Sequence, residues 1–269
     1  PRISSTFGSD PARVSALTGA YVEGFQGGKA GPGPQGVATV VKHWVGYGAS
    51  PEGFDGHNRY GNTVRLTPRQ FASHVSAFKG PFAANSGGIM PTYPIVKVGK
   101  GKSVSNVGAG FDANLLGPVL RRQQGFGGIV VSDWAISNDC PEECRNPSAA
   151  KPQQPWHIAT PWGTEDLTRQ ARMALAINAG VDQIGGENDP APLLAAIRQL
   201  DPALGAAAEA TAREVFEKGA ARLMPDVGFL LLDGAKPETP QQALSGADVF
   251  LFMIDNIQEA FGLAPLEGM

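Results

Sequence analysis

The chain is poor in charged residues and cysteine and lacks long apolar runs. Charged residues make up 17% of the 269 positions, against about 25% in a typical domain. The formal net charge is −3, and the absence of a basic excess argues against a nucleic-acid-binding protein. No apolar stretch reaches the roughly 18 residues that suggest a transmembrane helix, so no membrane span is expected.

Only two cysteines, Cys140 and Cys144, are present. Their spacing is neither the C-x-x-C of a redox motif nor half of a zinc site, so a local disulfide and two free thiols both stay open. No metal cluster or glycine-rich phosphate loop is visible, and no cofactor is expected. The chain begins at Pro1 without a basic and then apolar start, so no signal peptide is visible, and because there is no initial methionine this indicates little about the compartment.

Glycine and proline, in contrast, are abundant, with 35 and 22 residues. Disorder is one explanation of such an excess, but the hydrophobic content of 42% is enough to build a core. We therefore interpret the excess as many short loops around buried elements, and we expect the function to reside on those loops.

Apolar runs of strand length alternate with amphipathic segments of helical length. The predicted strands are residues 36–44, 87–94, 127–134, 180–186 and 247–255. The predicted helices are residues 9–25, 67–84, 112–124, 164–179, 189–200 and 204–223, with Thr164 as the N-cap of the fourth. Continuous apolar runs are typical of strands covered on both faces. The alternation predicts a (β/α) barrel or a doubly wound sheet.

Polar and aromatic residues stand where the predicted strands end, which is where (β/α) barrels carry their active sites. They are Lys42, His43, Trp44, Tyr93, Asp133, Trp134 and Asp182. The set contains no triad serine. It suits a neutral polyhydroxylated ligand, because charged groups would hydrogen-bond its hydroxyls and an indole would cover the apolar face of a sugar.

Several segments, in order, resemble the catalytic barrel of glycoside hydrolase family 3, which contains β-glucosidases and exo-β-glucanases. The matching residues are Arg2 with 6–11, Lys42-His43-Trp44, 88–93, 125–134 and 179–183. The resemblance covers about residues 2–200. It implies a (β/α)8 TIM-type barrel over residues 1–223 whose first strand has no counterpart here. The implied reaction is the retaining hydrolysis of terminal β-linked glucose from glucosides or oligosaccharides.

The same resemblance implies the roles of individual residues. Asp133 matches the nucleophile, and a carboxylate fixed at the end of a buried strand agrees with that role. The implied substrate-binding residues are Arg2, Lys42, His43, Tyr93 and Trp134. The structural alternatives are a helix-capping carboxylate for Asp133, a salt-bridged pair for Lys42 and His43, and a core position for Tyr93.

The general acid is not assigned by the resemblance. In the two-domain branch it is a glutamate of a following sandwich domain, for which residues 224–269, predicted as a linker and a terminal β-α unit, leave no room. The hexosaminidase branch uses a histidine where this chain has Tyr47. The remaining candidates on that loop are Glu52, Asp55 and His57.

Two alternatives follow from the unassigned acid: a second chain that completes the site, or a truncated, non-catalytic homologue that binds glycans. The resemblance and a Cys140–Cys144 disulfide would favour a periplasmic or secreted location.

Overall fold

The computed structural model describes residues 6–33, 36–99, 105–154, 159–187 and 189–201. The chain divides into two compact units, residues 1–187 and 188–269, and only residues 189–201 of the second unit are described. Arg2 and the predicted segments 204–223, 224–269 and 247–255 lie outside the described residues.

Among its described residues, the first unit contains five short strands: β1 (Val40–Trp44), β2 (Thr63–Leu66), β3 (Gly88–Pro91), β4 (Ile95–Val98) and β5 (Ile129–Val130). β1, β3 and β5 form one parallel sheet in that order. Val41 lies opposite Ile89, which in turn lies opposite Val130. A parallel bridge from Val131 to Gln183 extends the sheet by one position. Four of the predicted strands therefore lie side by side in chain order, which confirms the predicted parallel sheet.

The described helices are α1 (Pro11–Gln26), α2 (Pro68–Ser76), α3 (Lys79–Ala83), α4 (Glu142–Arg145), α5 (Arg169–Ala179) and α6 (Ala191–Leu200). A π-helix, Leu115–Gln123, forms within the predicted helix 112–124. The N-cap of α1 is Asp10, whose carboxylate accepts a hydrogen bond from the Arg13 backbone N–H at 2.7 Å. None of the described helices is long and apolar enough to cross a bilayer.

The predicted start of the fourth helix at Thr164 is wrong. α5 begins at Arg169, and its N-cap is Thr168, whose hydroxyl accepts a hydrogen bond from the Ala171 N–H at 3.2 Å. The Thr164 hydroxyl instead donates to the Pro161 carbonyl at 2.9 Å. Threonine hydroxyls can satisfy either a helix end or a turn, so the sequence alone did not distinguish these two positions.

β2 and β4 form a separate parallel pair that the sequence analysis did not predict. Thr63 lies opposite Ile95, whose backbone N–H donates to the Asn62 carbonyl at 2.8 Å. β2 follows loop 45–62, and β4 begins two residues after Tyr93. The pairing therefore brings loop 45–62 towards Tyr93, beside the carboxyl end of β3.

Two residues that the sequence analysis placed at strand ends have structural roles. Trp44 is fully buried, and its ring lies 5.0 Å from that of Phe78. Asp182 Oδ2 accepts hydrogen bonds from the Val130 backbone N–H at 2.8 Å and from Arg121 at 2.6 Å. Trp44 therefore belongs to the core, and Asp182 holds the segment that follows α5 against β5.

Candidate active site

Side chains from three neighbouring strands meet at the carboxyl end of the sheet. Asp133 follows β5, Tyr93 follows β3, and His43 lies in β1. The Tyr93 hydroxyl donates to Asp133 Oδ1 at 2.8 Å. The Nε2 atom of His43 lies 3.3 Å from Asp133 Oδ2. We call His43, Tyr93, Asp133 and Trp134 the strand-end cluster.

The two carboxylate oxygens of Asp133 have different surroundings. Oδ1 accepts a second hydrogen bond, from the Trp134 backbone N–H at 2.8 Å. Oδ2 is buried and lies 3.3 Å from His43 Nε2, without an aligned hydrogen bond from a described residue. Two hydrogen bonds therefore hold Oδ1, whereas Oδ2 is held less closely.

Asp133 is only 7% exposed. Burial alone would raise the pKa of this carboxyl, because a buried carboxylate loses its hydration. The His43 imidazole, the Tyr93 hydroxyl and the Trp134 N–H together outweigh that effect and hold the pKa of Asp133 below its usual range. Burial and the Asp133 charge raise the pKa of Tyr93. Asp133 is thus ionised near neutral pH, and Tyr93 is a neutral hydrogen-bond donor.

The other predicted site residues are placed differently. Trp134 is half-buried, and Gly185 and Gly186 lie so close to its indole that neither position has room for a Cβ. Lys42 lies in β1 next to His43, with an exposed side chain. Arg2 lies outside the described residues. The structure therefore brings together the four members of the strand-end cluster and places Lys42 at a neighbouring position of the same strand.

A second carboxylate, in loop 45–62, has the same kinds of partner. The Tyr47 hydroxyl donates to Asp55 Oδ1 at 2.8 Å. The His57 backbone N–H donates to the same oxygen at 3.0 Å, and His57 Nδ1 contacts it as well. The His57 hydrogen bond is the main cause that keeps the pKa of Asp55 below its usual range, while burial raises the pKa of Tyr47. We call Tyr47, Asp55 and His57 the loop cluster.

The two clusters are in contact through their rings. The Tyr47 ring lies 5.0 Å from the imidazole of His43. The His57 ring lies 4.3 Å from the Tyr93 ring. Each side chain that contacts the loop carboxylate therefore packs against a side chain that contacts Asp133.

A third segment, residues 135–154 and 159–168, is hydrogen-bonded to loop 45–62, and we call it segment 135–168. Trp162 is fully buried, and its Nε1–H donates to the Gly56 carbonyl at 2.7 Å. The side-chain amide of Gln153 donates to the His57 carbonyl at 2.8 Å. The backbone of loop 45–62 is thus fixed at two consecutive residues beside Asp55.

Segment 135–168 is itself held by Arg172 of α5 and by a disulfide. The guanidinium of Arg172, which is 1% exposed, donates to the Thr164, Ser137 and Glu165 carbonyls and to the Asp139 carboxylate at 2.7–3.0 Å. Cys140 and Cys144 form a disulfide. Of the two states that the sequence left open for these cysteines, the structure contains the oxidised one.

The sequence analysis named Asp55 and His57 only as proton-donor candidates and did not predict their arrangement. Glu52, the third candidate, has an exposed side chain. No local pattern could show that the loop cluster packs on the strand-end cluster. The bond from Trp162 to Gly56, for example, joins residues 106 positions apart.

A cavity of about 700 Å³ lies at the opposite, amino ends of the strands, where its wall includes Ser86, Gly87 and Gly128. None of the described residues that line it is a carboxylate. The carboxylates and their partners lie at the other end of the sheet, so we place the candidate site there.

Parallel strands in chain order, with a buried carboxylate at their carboxyl ends, define an α/β protein of the (β/α)-barrel class. Residues 1–151 match the family described as glycosyl hydrolase family 3 N terminal domain. The chain belongs to glycosyl hydrolase family 3.

The relatives include a periplasmic beta-glucosidase/beta-xylosidase of Dickeya chrysanthemi, 45% identical over 201 residues, which are 74% of this chain and 30% of that protein. A probable beta-glucosidase C of Aspergillus oryzae is 37% identical over 191 residues, or 70% of this chain and 27% of that protein. The chain therefore spans less than a third of the length of these relatives.

A crystal structure of beta-glucosidase from Listeria innocua in complex with gluconolactone matches with a TM-score of 0.50 and 23% identity. The match covers 68% of this chain and 21% of that one. At this identity the likeness concerns the fold alone. Together with the parallel sheet, it confirms the predicted fold class, in which the described strands form part of a TIM-type barrel.

Proposed function

We propose that the protein is a retaining β-glycosidase that removes terminal β-linked glucose, with Asp133 as its nucleophile. The observation that carries the proposal is the state of the Asp133 carboxylate. It is buried and ionised, its Oδ1 is fixed by Tyr93 and Trp134, and its Oδ2 has no aligned donor among the described residues. A lowered pKa keeps a carboxylate nucleophile in its reactive, ionised form.

The reaction proceeds in two displacements at the anomeric carbon. Asp133 Oδ2 forms an ester bond to that carbon as the bond to the leaving oxygen breaks, and the leaving oxygen takes a proton. A water molecule then attacks the same carbon and gives up a proton. The ester bond breaks, and the carboxylate is restored together with free glucose. Among the described residues, the candidates for the proton donor are Glu52, Asp55 and His57 of loop 45–62. A second chain that completes the site is the alternative source of the proton.

Binding of the sugar is assigned to residues around the carboxylate. His43 and Lys42, adjacent in β1, would hydrogen-bond hydroxyls, and the half-buried indole of Trp134 would cover an apolar face of the ring. Arg2 is expected to contribute a further hydroxyl contact. The name of the Dickeya relative includes both beta-glucosidase and beta-xylosidase. A β-xyloside is therefore the first substrate to compare with a β-glucoside.

A periplasmic or secreted location is part of the same proposal. The Dickeya relative is named as a periplasmic enzyme, and the Cys140–Cys144 disulfide is the kind of bond that persists in oxidising compartments. Immunoblotting of periplasmic, secreted and cytoplasmic fractions tests this assignment directly. Recovery in the cytoplasmic fraction would contradict it.

The activity is tested with an aryl β-glucoside and the variant Asp133→Ala. We expect turnover to fall by about 10³-fold or more, whereas Asp166→Asn, a change at a carboxylate that is 95% exposed, leaves it unaltered. Azide should restore turnover of Asp133→Gly and give a glucosyl azide of inverted configuration. Unchanged turnover in Asp133→Ala would refute the nucleophile. Glucose binding by calorimetry without any hydrolysis would favour the glycan-binding alternative instead.

A further inference from the structure

The loop cluster has the same kinds of side chain as the strand-end cluster, and beyond the candidacy of Asp55 and His57 as proton donors it has no assigned role. Its carboxylate, Asp55, binds one tyrosine hydroxyl and one imidazole, and both of those rings pack on the strand-end cluster. We propose that Asp55 is a positioning residue for the nucleophile, because it holds Tyr47 against His43 and His57 against Tyr93. This inference rests on the proposed role of Asp133.

Asp55 holds both rings of the loop cluster through one carboxylate oxygen. Its Oδ1 receives the Tyr47 hydroxyl at 2.8 Å and the His57 backbone N–H at 3.0 Å, and His57 Nδ1 lies against the same atom. The Gly56 N–H also donates to the Tyr47 hydroxyl oxygen at 3.4 Å. One carboxylate oxygen therefore sets the positions of two rings that are ten residues apart in the sequence.

The two rings held by Asp55 pack against the side chains that contact Asp133. Tyr47 lies beside His43, the side chain that approaches Asp133 Oδ2. His57 lies beside Tyr93, whose hydroxyl binds Asp133 Oδ1. Asp55 thus acts on both oxygens of the nucleophile through one intervening pair of rings on each side.

The backbone of loop 45–62, which carries these rings, is itself held by hydrogen bonds. The Trp162 and Gln153 side chains donate to the carbonyls of Gly56 and His57. The Asn58 side chain accepts from the Tyr60 and Gly61 N–H groups at 3.0 and 3.1 Å and closes the turn that follows. A fixed backbone leaves the Asp55 carboxylate little freedom, so it is able to hold the two rings in position.

The test compares Asp55→Asn with the wild-type protein on aryl glucosides of graded leaving-group pKa and on an alkyl glucoside. Misplacement of a reacting group by about 1 Å costs up to about 10²-fold in rate. We expect kcat/KM to fall by about 10- to 100-fold and by the same factor for every leaving group, because formation of the ester is impaired in each case. Asp55→Asn is isosteric, and Asp166→Asn is the matched control at an exposed carboxylate.

If Asp55 only stabilised the fold, its replacement would not move the acidic limb of the pH profile of kcat/KM. In Asp55→Asn that limb should shift to higher pH, because His43 and Tyr93, which stabilise ionised Asp133 together with the Trp134 N–H, are less well held. Tyr47→Phe keeps the ring, removes one hydrogen bond to Asp55 and should shift the limb in the same direction by less. It also serves as the second variant if Asp55→Asn lowers the thermal stability.

Two outcomes would overturn the inference. One is wild-type kcat/KM in Asp55→Asn. The other is a fall confined to poor leaving groups, which would make Asp55 the partner of a proton-donating His57. Both can be told from failure of the proposed function, because Asp133→Ala would then still be inactive. If Asp133→Ala retains activity, the proposed function itself has failed.

Discussion

The strand-end cluster and the loop cluster both surround an aspartate with a tyrosine hydroxyl, an imidazole and a backbone N–H. They differ in burial, since the Asp133 side chain is 9% exposed and that of Asp55 44%. They also differ in how the oxygens are used. The hydrogen bonds to Asp133 leave Oδ2 open, whereas all three described contacts of Asp55 converge on Oδ1.

This difference shows that the identity of the partners does not by itself make a carboxylate reactive. Interactions at a half-exposed group are weakened by water, while those at a buried group act at a lower effective dielectric. The buried Asp133 therefore suits covalent chemistry, and the more exposed Asp55 suits the role of a support.

The largest effect should come from a matched pair of Tyr→Phe changes. Tyr93→Phe removes a hydrogen bond to a buried charged group, worth about 1.5–3 kcal/mol, so kcat/KM should fall by about 10- to 100-fold. Tyr47→Phe removes the hydrogen bonds of the Tyr47 hydroxyl with Asp55 and Gly56, neither of which involves Asp133, and should reduce kcat/KM by less than about 10-fold. Steady-state kinetics on an aryl β-glucoside measures both. Equal falls would remove the distinction between the clusters.

Trp162→Phe tests the hydrogen bond that fixes the backbone of loop 45–62 at Gly56. The change leaves the buried Gly56 carbonyl without its donor, and such a loss costs about 1–3 kcal/mol. Urea unfolding should show that decrease in the free energy of unfolding. The fall in kcat/KM should be smaller than that of Asp55→Asn. An unaltered free energy of unfolding would mean that this hydrogen bond does not stabilise the folded protein.

The disulfide should matter less, and only for stability. It closes a loop of four-residue separation, for which chain entropy predicts at most about 2 kcal/mol. The double change Cys140→Ser, Cys144→Ser should lower the melting temperature and leave kcat/KM within about twofold, as both residues lie apart from the described contacts of the two clusters. A large loss of kcat/KM at unchanged stability would show that segment 135–168 acts directly on the candidate active site.

The smallest effect should be the change that Tyr93→Phe causes in the pH dependence of kcat/KM. Since the Tyr93 hydrogen bond helps to keep the pKa of Asp133 below its usual range, Tyr93→Phe should raise that pKa. The acidic limb of kcat/KM reports the free enzyme's essential groups, and it should therefore move to higher pH. Tyr47→Phe should move it less. A shift to lower pH in Tyr93→Phe would contradict the assigned hydrogen bond.

The sequence predicted the parallel sheet because its strands are continuous apolar runs, such as 127–134, that end in polar residues. It did not predict β2 and β4, which are four residues long and include Arg65 and Lys97. Strands this short, each interrupted by a charge, carry little periodic signal. Their pairing depends on contacts between residues about thirty positions apart.

The site was predicted unevenly for the same reason. His43, Tyr93, Asp133 and Trp134 stand at strand ends, so the topology alone brings them together. Asp55 and His57 lie in a loop whose position depends on the β2–β4 pairing and on Trp162. Long-range contacts of that kind leave no local pattern, and the second cluster became visible only in three dimensions.

The central claim, that Asp133 rather than Asp55 is the reactive carboxylate, is tested most directly by trapping the covalent intermediate. The protein is incubated with a 2-deoxy-2-fluoro β-glucoside that carries an activated leaving group, and its peptides are then mapped by mass spectrometry. We expect a single fluoroglucosyl ester on the peptide that contains Asp133. A label on Asp55, or steady hydrolysis of the parent β-glucoside by the Asp133→Ala variant, would contradict the claim.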